Sequence, residues 1–442
     1  MYFAYSLLMF VAFILLSPYF LYQAIRHKKH IGTLGQRLGF LPLTFNVDGD
    51  ESIWIHAVSV GETLTARALA ADLKSRYPRL RLFLSTTTIA GQQVAKHVHH
   101  LDGVFYFPFD WTFIVRRTLD LVRPRVFIMM ETEIWPNLLR ACRARGVKTV
   151  LINGRISSRS YSRYRLVRPL FKRVLADIDR FCLQNEESSR RAVALGANPS
   201  LVTITGSLKF DSLELPVPAA RTRTREPVLR FFRVGPKRPV IVAGSTMRGE
   251  EAALLRAFAR VKASAPSALA VLAPRHPERF AEVERLAAAA GFVTVRRSNL
   301  PIDSDPRADV VVLDTIGELA QLYQVATAVF VGGSLVDYGG HNILEPAVFG
   351  KPIVFGPHMR NFKEIADLFL VNGAALQVSP EQLDETLLSL LTDPVRRARL
   401  GAAARALVEA NRGAKEKTLA VIEDVIPMAA SRGVVRSFRL VN

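Results

Sequence analysis

Apolar residues along the chain fall in short, β-branched runs separated by longer stretches of helical periodicity. In the first half the runs are Ile53–Val58, Leu80–Ser85, Val104–Phe107, Val126–Met130, Thr149–Ile152, Arg180–Leu183 and Val202–Thr205. Helical patterns lie between most of them, among them Thr63–Arg76 and Pro136–Arg145. Near-continuous hydrophobic strands, each followed by a helix, predict a parallel sheet covered on both faces. From Leu213 to Arg238 the periodicity gives way to Pro, Arg, Thr and Gly, which reads as a linker. A second series follows: Val240–Ala243, Leu269–Ala273, Phe292–Val295, Val310–Leu313, Ala328–Val331 and Ile353–Phe355, with an amphipathic helix over Glu250–Lys262.

The pattern predicts an α/β protein of two Rossmann-like domains facing a cleft. The first covers 31–212 and the second covers 239–415. Ligands of such sheets sit beyond the carboxyl ends of the strands. The Ala- and Arg-rich stretch from Pro394 reads as helical and is a candidate to cross back to the first domain, before a tail over 416–442.

The N-terminus breaks this rhythm. No charge occurs from Tyr2 to Ile25, and Arg26, His27, Lys28 and Lys29 follow. A helix of that length reaches roughly 36 Å, enough for a ~30 Å hydrocarbon layer. A basic n-region and a small-x-small cleavage site are lacking, so residues 1–30 read as an uncleaved anchor with the body in the cytoplasm. Pro18 offers an alternative, a shorter helix that stays at the surface.

Charge narrows the partners. Lys and Arg number 59 against 39 Asp and Glu, a net of +20, which favours an anionic surface or substrate. Arg155, Arg159, Arg163, Arg165, Arg168, Lys172 and Arg173 are interleaved with Tyr161, Tyr164 and Phe171. Beside an N-terminal anchor, this run points to an anionic membrane surface rather than nucleic acid, with an ordinary solvated face as the alternative. Cys142 and Cys182 stand outside any ligand spacing, in a predicted helix and strand, and read as buried thiols.

Candidate chemistry gathers where strands end. Glu62 follows the run Trp54–Val58 and a small-residue turn. It can serve as a general base or interact with a helix N-terminus. Glu131 and Glu133 follow Val126–Met130. They can bind a metal, orient a hydroxyl, set the charge of a pocket, or cap the helix that Pro136 opens. Lys209, at the end of the first domain, can reach an anion. In the second domain Gly244–Gly249 precedes a helix and offers backbone N–H groups to a phosphate. It matches neither the P-loop nor the dinucleotide fingerprint. Pro274–Arg279 places cations at the same edge. Gly332-Gly333-Ser334-Leu335 and Gly339–Ala347 allow close backbone approach. There Asn342 should open a helix and Glu345 should accept from the two hydroxyls of a ribose.

His56–Glu62, 131–137, Gln184-Asn185-Glu186, Gly206–Asp211, Pro274–Arg279 and Gly339–Glu345 occur in an order that resembles the 3-deoxy-D-manno-oct-2-ulosonic acid (Kdo) transferases. The likeness runs from the N-terminal stretch to about residue 415. It implies the GT-B fold and transfer of Kdo from CMP-Kdo to the lipid A precursor, lipid IV(A), in lipopolysaccharide synthesis at the inner membrane. It further implies Glu62 as catalytic base, with Glu131 and Lys209 stabilising the transition state. Pro274 and Arg275, then Ile316, Gly317 and Glu318, then Asn342, Ile343, Leu344 and Glu345 fall on its CMP-binding positions. A leaving group with one phosphate calls for no metal and no further cofactor. Two rivals stay open: a related transferase using a uridine sugar nucleotide, and a membrane-tethered binding protein whose acidic residues are caps.

Overall fold

The β-branched runs form strands because both of their faces are covered. The computed structural model describes residues 2–27, 31–42, 45–212, 238–300, 306–426, and the chain divides into two units. One comprises Met1–Ser212 with Arg412–Asn442, the other Leu213–Asn411. Most of the expected linker, 213–237, lies outside the described residues, as does the tail from 427 onward.

The first unit is built on strands β1 (Ser52–His56), β2 (Arg81–Thr86), β3 (Gly103–Tyr106), β4 (Pro124–Met130), β5 (Lys148–Gly154), β6 (Arg180–Leu183) and β7 (Val202–Ile204). They pair in parallel in the order β3-β2-β1-β4-β5-β6-β7. The order reverses between β1 and β4, the switch point beside which ligands of doubly wound sheets bind. Alternation along the strands sends Trp54, Phe83, Phe127 and Phe181 to one core and Ile53, Ile55, Leu84 and Ile128 to the other. Cys142 and Cys182 are buried, and burial pushes the Cys182 thiol up to about 12.

The last described helix, Ala414–Val425, closes the second of these cores with Leu419 and Ile422. The Asp211 carboxylate accepts from the N–H groups of Gly413 (2.9 Å) and Lys415 (2.8 Å) at the start of that helix. The Tyr77 hydroxyl donates to the Ile426 carbonyl at 2.8 Å. This helix therefore belongs to the first sheet despite following the whole second unit.

The N-terminal residues form a helix, Tyr2–His27, with Pro18 inside it. Among the described residues no helix is long and apolar enough to cross a membrane. The spanning anchor expected over 1–30 is therefore not shown. The first turns of this helix are docked on the first unit. The Tyr2 hydroxyl donates to Asp177 (2.7 Å), and the Arg140 guanidinium lies 4.5 Å from the centre of the Tyr2 ring. Tyr5 is hydrogen-bonded to Asp110, and Phe13 meets Trp111 edge-on at 4.9 Å. The far side of the helix leaves Leu7, Leu8, Phe10, Val11, Ile14 and Leu15 exposed.

The second unit repeats the plan with β8 (Val240–Thr246), β9 (Leu269–Pro274), β10 (Thr294–Arg296), β11 (Val310–Val312), β12 (Ala328–Val331), β13 (Ile353–Phe355) and β14 (Leu376–Gln377). Their order is β10-β11-β9-β8-β12-β13-β14, all parallel, and its switch point lies between β8 and β12. The predicted amphipath becomes the helix Glu251–Ser264, packing Leu254, Phe258 and Val261 into the core.

Candidate active site

In the first unit the polar residues sit just past the carboxyl ends of β1 and β4. Ser59 caps the helix Val60–Arg76, and Glu62 occupies its first turn. The Glu62 carboxylate accepts from Val58 N–H (2.8 Å) and from the Ser59 hydroxyl (3.0 Å). This is a capping arrangement, and it also fixes the carboxylate in place. Burial and the nearby Glu131 charge raise its pKa to about 7, against the pull of the Val58 and Ser59 bonds. A carboxyl tuned there can take a proton at neutral pH.

Glu131 directly follows β4 in a left-handed conformation (φ +55°), uncommon for a residue with a side chain. Lys209 Nζ stands 3.7 Å from its Oε1. The backbone just before Lys209 is held by Asn153, whose Oδ1 accepts from Leu208 N–H at 3.0 Å. Asn153 is itself buried and left-handed (φ +52°). The neighbouring Glu133 accepts from Trp135 Nε1 (3.1 Å) and faces His56 Nε2 at 3.8 Å. His56 is sealed in the core, stacked on Phe107, and burial lowers its pKa. Glu62, Glu131, Glu133 and Lys209 thus share one electrostatic neighbourhood. Among the described residues no cluster of His, Cys, Asp and Glu is arranged to hold a metal ion.

The second unit assembles its candidates past β9 and β12. Gly332 lies so close to Ser245 that a Cβ there would meet its carbonyl oxygen at 2.4 Å, so only glycine fits. The loop then turns, with Gly340 N–H donating to the Gly333 carbonyl at 2.7 Å. Asn342 stands two residues before the short helix Leu344–Val348 rather than opening it. Its Oδ1 accepts from Leu344 N–H (3.1 Å), and its Nδ2 donates to Glu345 at 3.2 Å. Burial raises the Glu345 pKa, while the Asn342 bond and the Arg275 charge lower it. His341 is pushed down to about 4 by burial and by Arg275 and His276. Arg275, His276, His341, Asn342 and Glu345 therefore form one cluster.

Ile316, Gly317 and Glu318 follow β11, next to β9 at the same edge. Ile316 is exposed and Gly317 left-handed (φ +92°). Glu318 is bound by Arg297 (3.0 Å) and by the Thr315 hydroxyl (2.7 Å), so it shapes the turn. Gly244–Gly249 differs from the expected phosphate cradle: the Met247 N–H is taken by the protein's own Glu250 at 2.8 Å.

The family model of 3-deoxy-D-manno-octulosonic-acid transferase (kdotransferase) matches residues 32–212. The 3-deoxy-D-manno-octulosonic acid transferase of Haemophilus influenzae is 32% identical over 90% of this chain and 93% of its own. That of Bordetella pertussis is 36% identical over 84% and 87%. The chain belongs to the 3-deoxy-D-manno-octulosonic acid transferase family. It is accordingly a glycosyltransferase, with a GT-B-like pair of parallel α/β units. UDP-GlcNAc 2-epimerase from Neisseria meningitidis shares the fold, with a TM-score of 0.57 at 12% identity over 85% of this chain and 100% of that one.

Within this transferase, Asn153, His56 and Glu250 are the residues that sequence reasoning left without a role. Asn153 carried a signal, a polar residue at the end of a hydrophobic strand. The partners of His56 and Glu250 lie far along the chain and left none.

Proposed function

We propose that this transferase moves Kdo from CMP-Kdo to the lipid A precursor, with Glu62 as general base. The carrying observation is the Glu62 carboxyl, fixed by Val58 and Ser59 and raised to about 7. An acceptor hydroxyl oxygen attacks the anomeric carbon of Kdo and gives its proton to Glu62. The bond from that carbon to the phosphate oxygen breaks, and CMP leaves with the electron pair. Attack opposite the leaving group inverts the anomeric centre. Lys209, neutralised in part by Glu131, is suited to stabilise negative charge as it develops.

On the donor side, Arg275 supplies a cation for the single phosphate, and Glu345 is placed to accept from the ribose hydroxyls. The relatives named above as 3-deoxy-D-manno-octulosonic acid transferases support Kdo as the group transferred. The reading requires no metal.

The lipid acceptor places the protein at the inner membrane, on the cytoplasmic side where a nucleotide donor is available. Attachment is by surface contact: the docked N-terminal helix offers its exposed Leu7, Leu8, Phe10 and Leu15 to acyl chains. The basic helix Ser158–Leu166 buries none of its residues and ends on an 84% exposed Leu166, supporting a second contact.

The test is transfer from CMP-Kdo, generated in situ, to tetraacylated lipid A precursor, with products weighed by mass spectrometry. Kdo-sized increments from wild type and none from Glu62→Ala are expected. No product from folded wild type would refute the donor and acceptor together; equal product from the variant would remove the base.

A further inference from the structure

Two consecutive carboxylates begin the helix Glu251–Ser264, and each reaches a different segment of the nucleotide cluster. Glu250 is sealed from solvent and accepts four backbone N–H groups. Oε2 takes those of Met247 (2.8 Å) and Gly333 (2.7 Å); Oε1 takes those of Ser334 (2.9 Å) and Leu335 (2.9 Å). Glu251, 1% exposed, receives a bidentate Arg279 at 2.6 and 3.1 Å. A helix cap would serve its own first turn. Here three of the four donors to Glu250 lie more than 80 residues away in sequence.

The partners give the pair its meaning. Gly333, held by Glu250, accepts from Gly340 immediately before His341–Glu345. Arg279, held by Glu251, ends the segment that carries Pro274 and Arg275. One rigid helix start thereby grips both walls. Every bond named points inward, so neither carboxylate is offered to a ligand.

We propose that Glu250 and Glu251 form a positioning strut that sets the separation of the Pro274–Arg275 and Asn342–Glu345 walls and so determines nucleotide affinity. This rests on the reading of those walls as the nucleotide site. Replacing Glu250 by Gln keeps its shape but turns an N–H₂ group toward backbone N–H donors. The loop from Gly333 onward then has to move, and the ribose-facing residues with it.

The experiment uses the full chain in detergent, with CMP as probe in titration calorimetry, comparing wild type, Glu250→Gln and Val261→Ala. Val261 is buried on the same helix, near its far end. Its truncation lowers Tm through a cavity alone. The strut predicts at least a tenfold rise in CMP Kd for Glu250→Gln and less than a twofold change for Val261→Ala. Unchanged affinity in Glu250→Gln, or equal losses in both variants, overturns it. Hydrogen exchange adds a readout independent of CMP and of the variant's folding. In wild type the Gly333, Ser334 and Leu335 amides should be protected; exchange at open-loop rates overturns the strut. If wild type fails to bind CMP, the nucleotide reading falls by itself, and protection of these amides still decides the strut.

Discussion

Lys209 Nζ lies 3.7 Å from Oε1 of Glu131, joining the stretch after β7 to the one after β4 over a single ion pair. Glu131 is also the charge that, after burial, does most to raise Glu62. Glu62, Glu131 and Lys209 are therefore linked through Glu131, and changing Glu131 or Lys209 should retune Glu62.

That coupling has a sign. Since Glu62 must be ionised to accept a proton, kcat/KM should fall as pH drops through about 7. Glu131→Gln removes a negative neighbour and should move this acid limb down by roughly one unit. Lys209→Met removes a positive neighbour and should move it up. Rate–pH profiles of the two variants check the opposed shifts, whatever else each loses in kcat.

Glu62→Ala should lower kcat by roughly 10²–10⁴-fold, the usual range for a lost general base. The KM for the donor should hardly change, because the donor cluster lies in the other unit. Loss of its bonds with Val58 and Ser59 should cost about 1 kcal/mol of stability, which thermal unfolding reads separately.

Glu345→Gln keeps the partnership with Asn342 but weakens acceptance from two ribose hydroxyls. CMP affinity should drop roughly tenfold or more, the loss of one good charged hydrogen bond. Competition by CMP against 2′-deoxy-CMP provides the check: wild type should discriminate, and the variant should not.

Asp110 carries a stability signature. Burial raises its carboxyl to about 7, against the lowering N–H groups of Asn137 and Leu138 and the Tyr5 hydroxyl. The folded state thus holds the proton more tightly than the unfolded chain, whose value is near 3.8. Stability from this group is full below the unfolded value and falls as pH rises toward 7. At ~1.4 kcal/mol per unit the loss is on the order of a few kcal/mol. Asp110→Asn should flatten this part of the Tm-against-pH curve between about 4 and 7.

Leu419→Ala, on the last described helix, should destabilise the first unit by about 2–5 kcal/mol, as expected for a fully buried leucine. The surface pairs of Arg76 with Glu416 and Glu423 should matter far less, ~0–1 kcal/mol each. Denaturant unfolding of Leu419→Ala against Arg76→Ala separates the two contributions.

What the sequence made legible was local. Both series of strands followed from β-branched runs, and Glu62, Glu131 and Lys209 could be placed because each comes shortly after such a run. The docking of the N-terminal helix was not legible, because composition records solubility in lipid, while the bonds of Tyr2 to Asp177 and Tyr5 to Asp110 span over a hundred residues. Gly244–Gly249 looked like a phosphate cradle because its competing acceptor, Glu250, reads from sequence as an ordinary first-turn glutamate. The short strand β14 offered only two residues, too few for a period to show.

The helix Ala414–Val425 also orders events during synthesis. Chains emerge from the ribosome N-terminus first, and domains fold as units. Here the unit begun first is finished last. All of Leu213–Asn411 must be made before Leu419 and Ile422 can cover the face formed by Ile53, Ile55 and Leu84. Throughout that interval the half-built domain carries an open greasy flank. A holding chaperone, or the bilayer itself, has its window of greatest value there, and a nascent chain stalled near residue 411 is where such a helper should be caught.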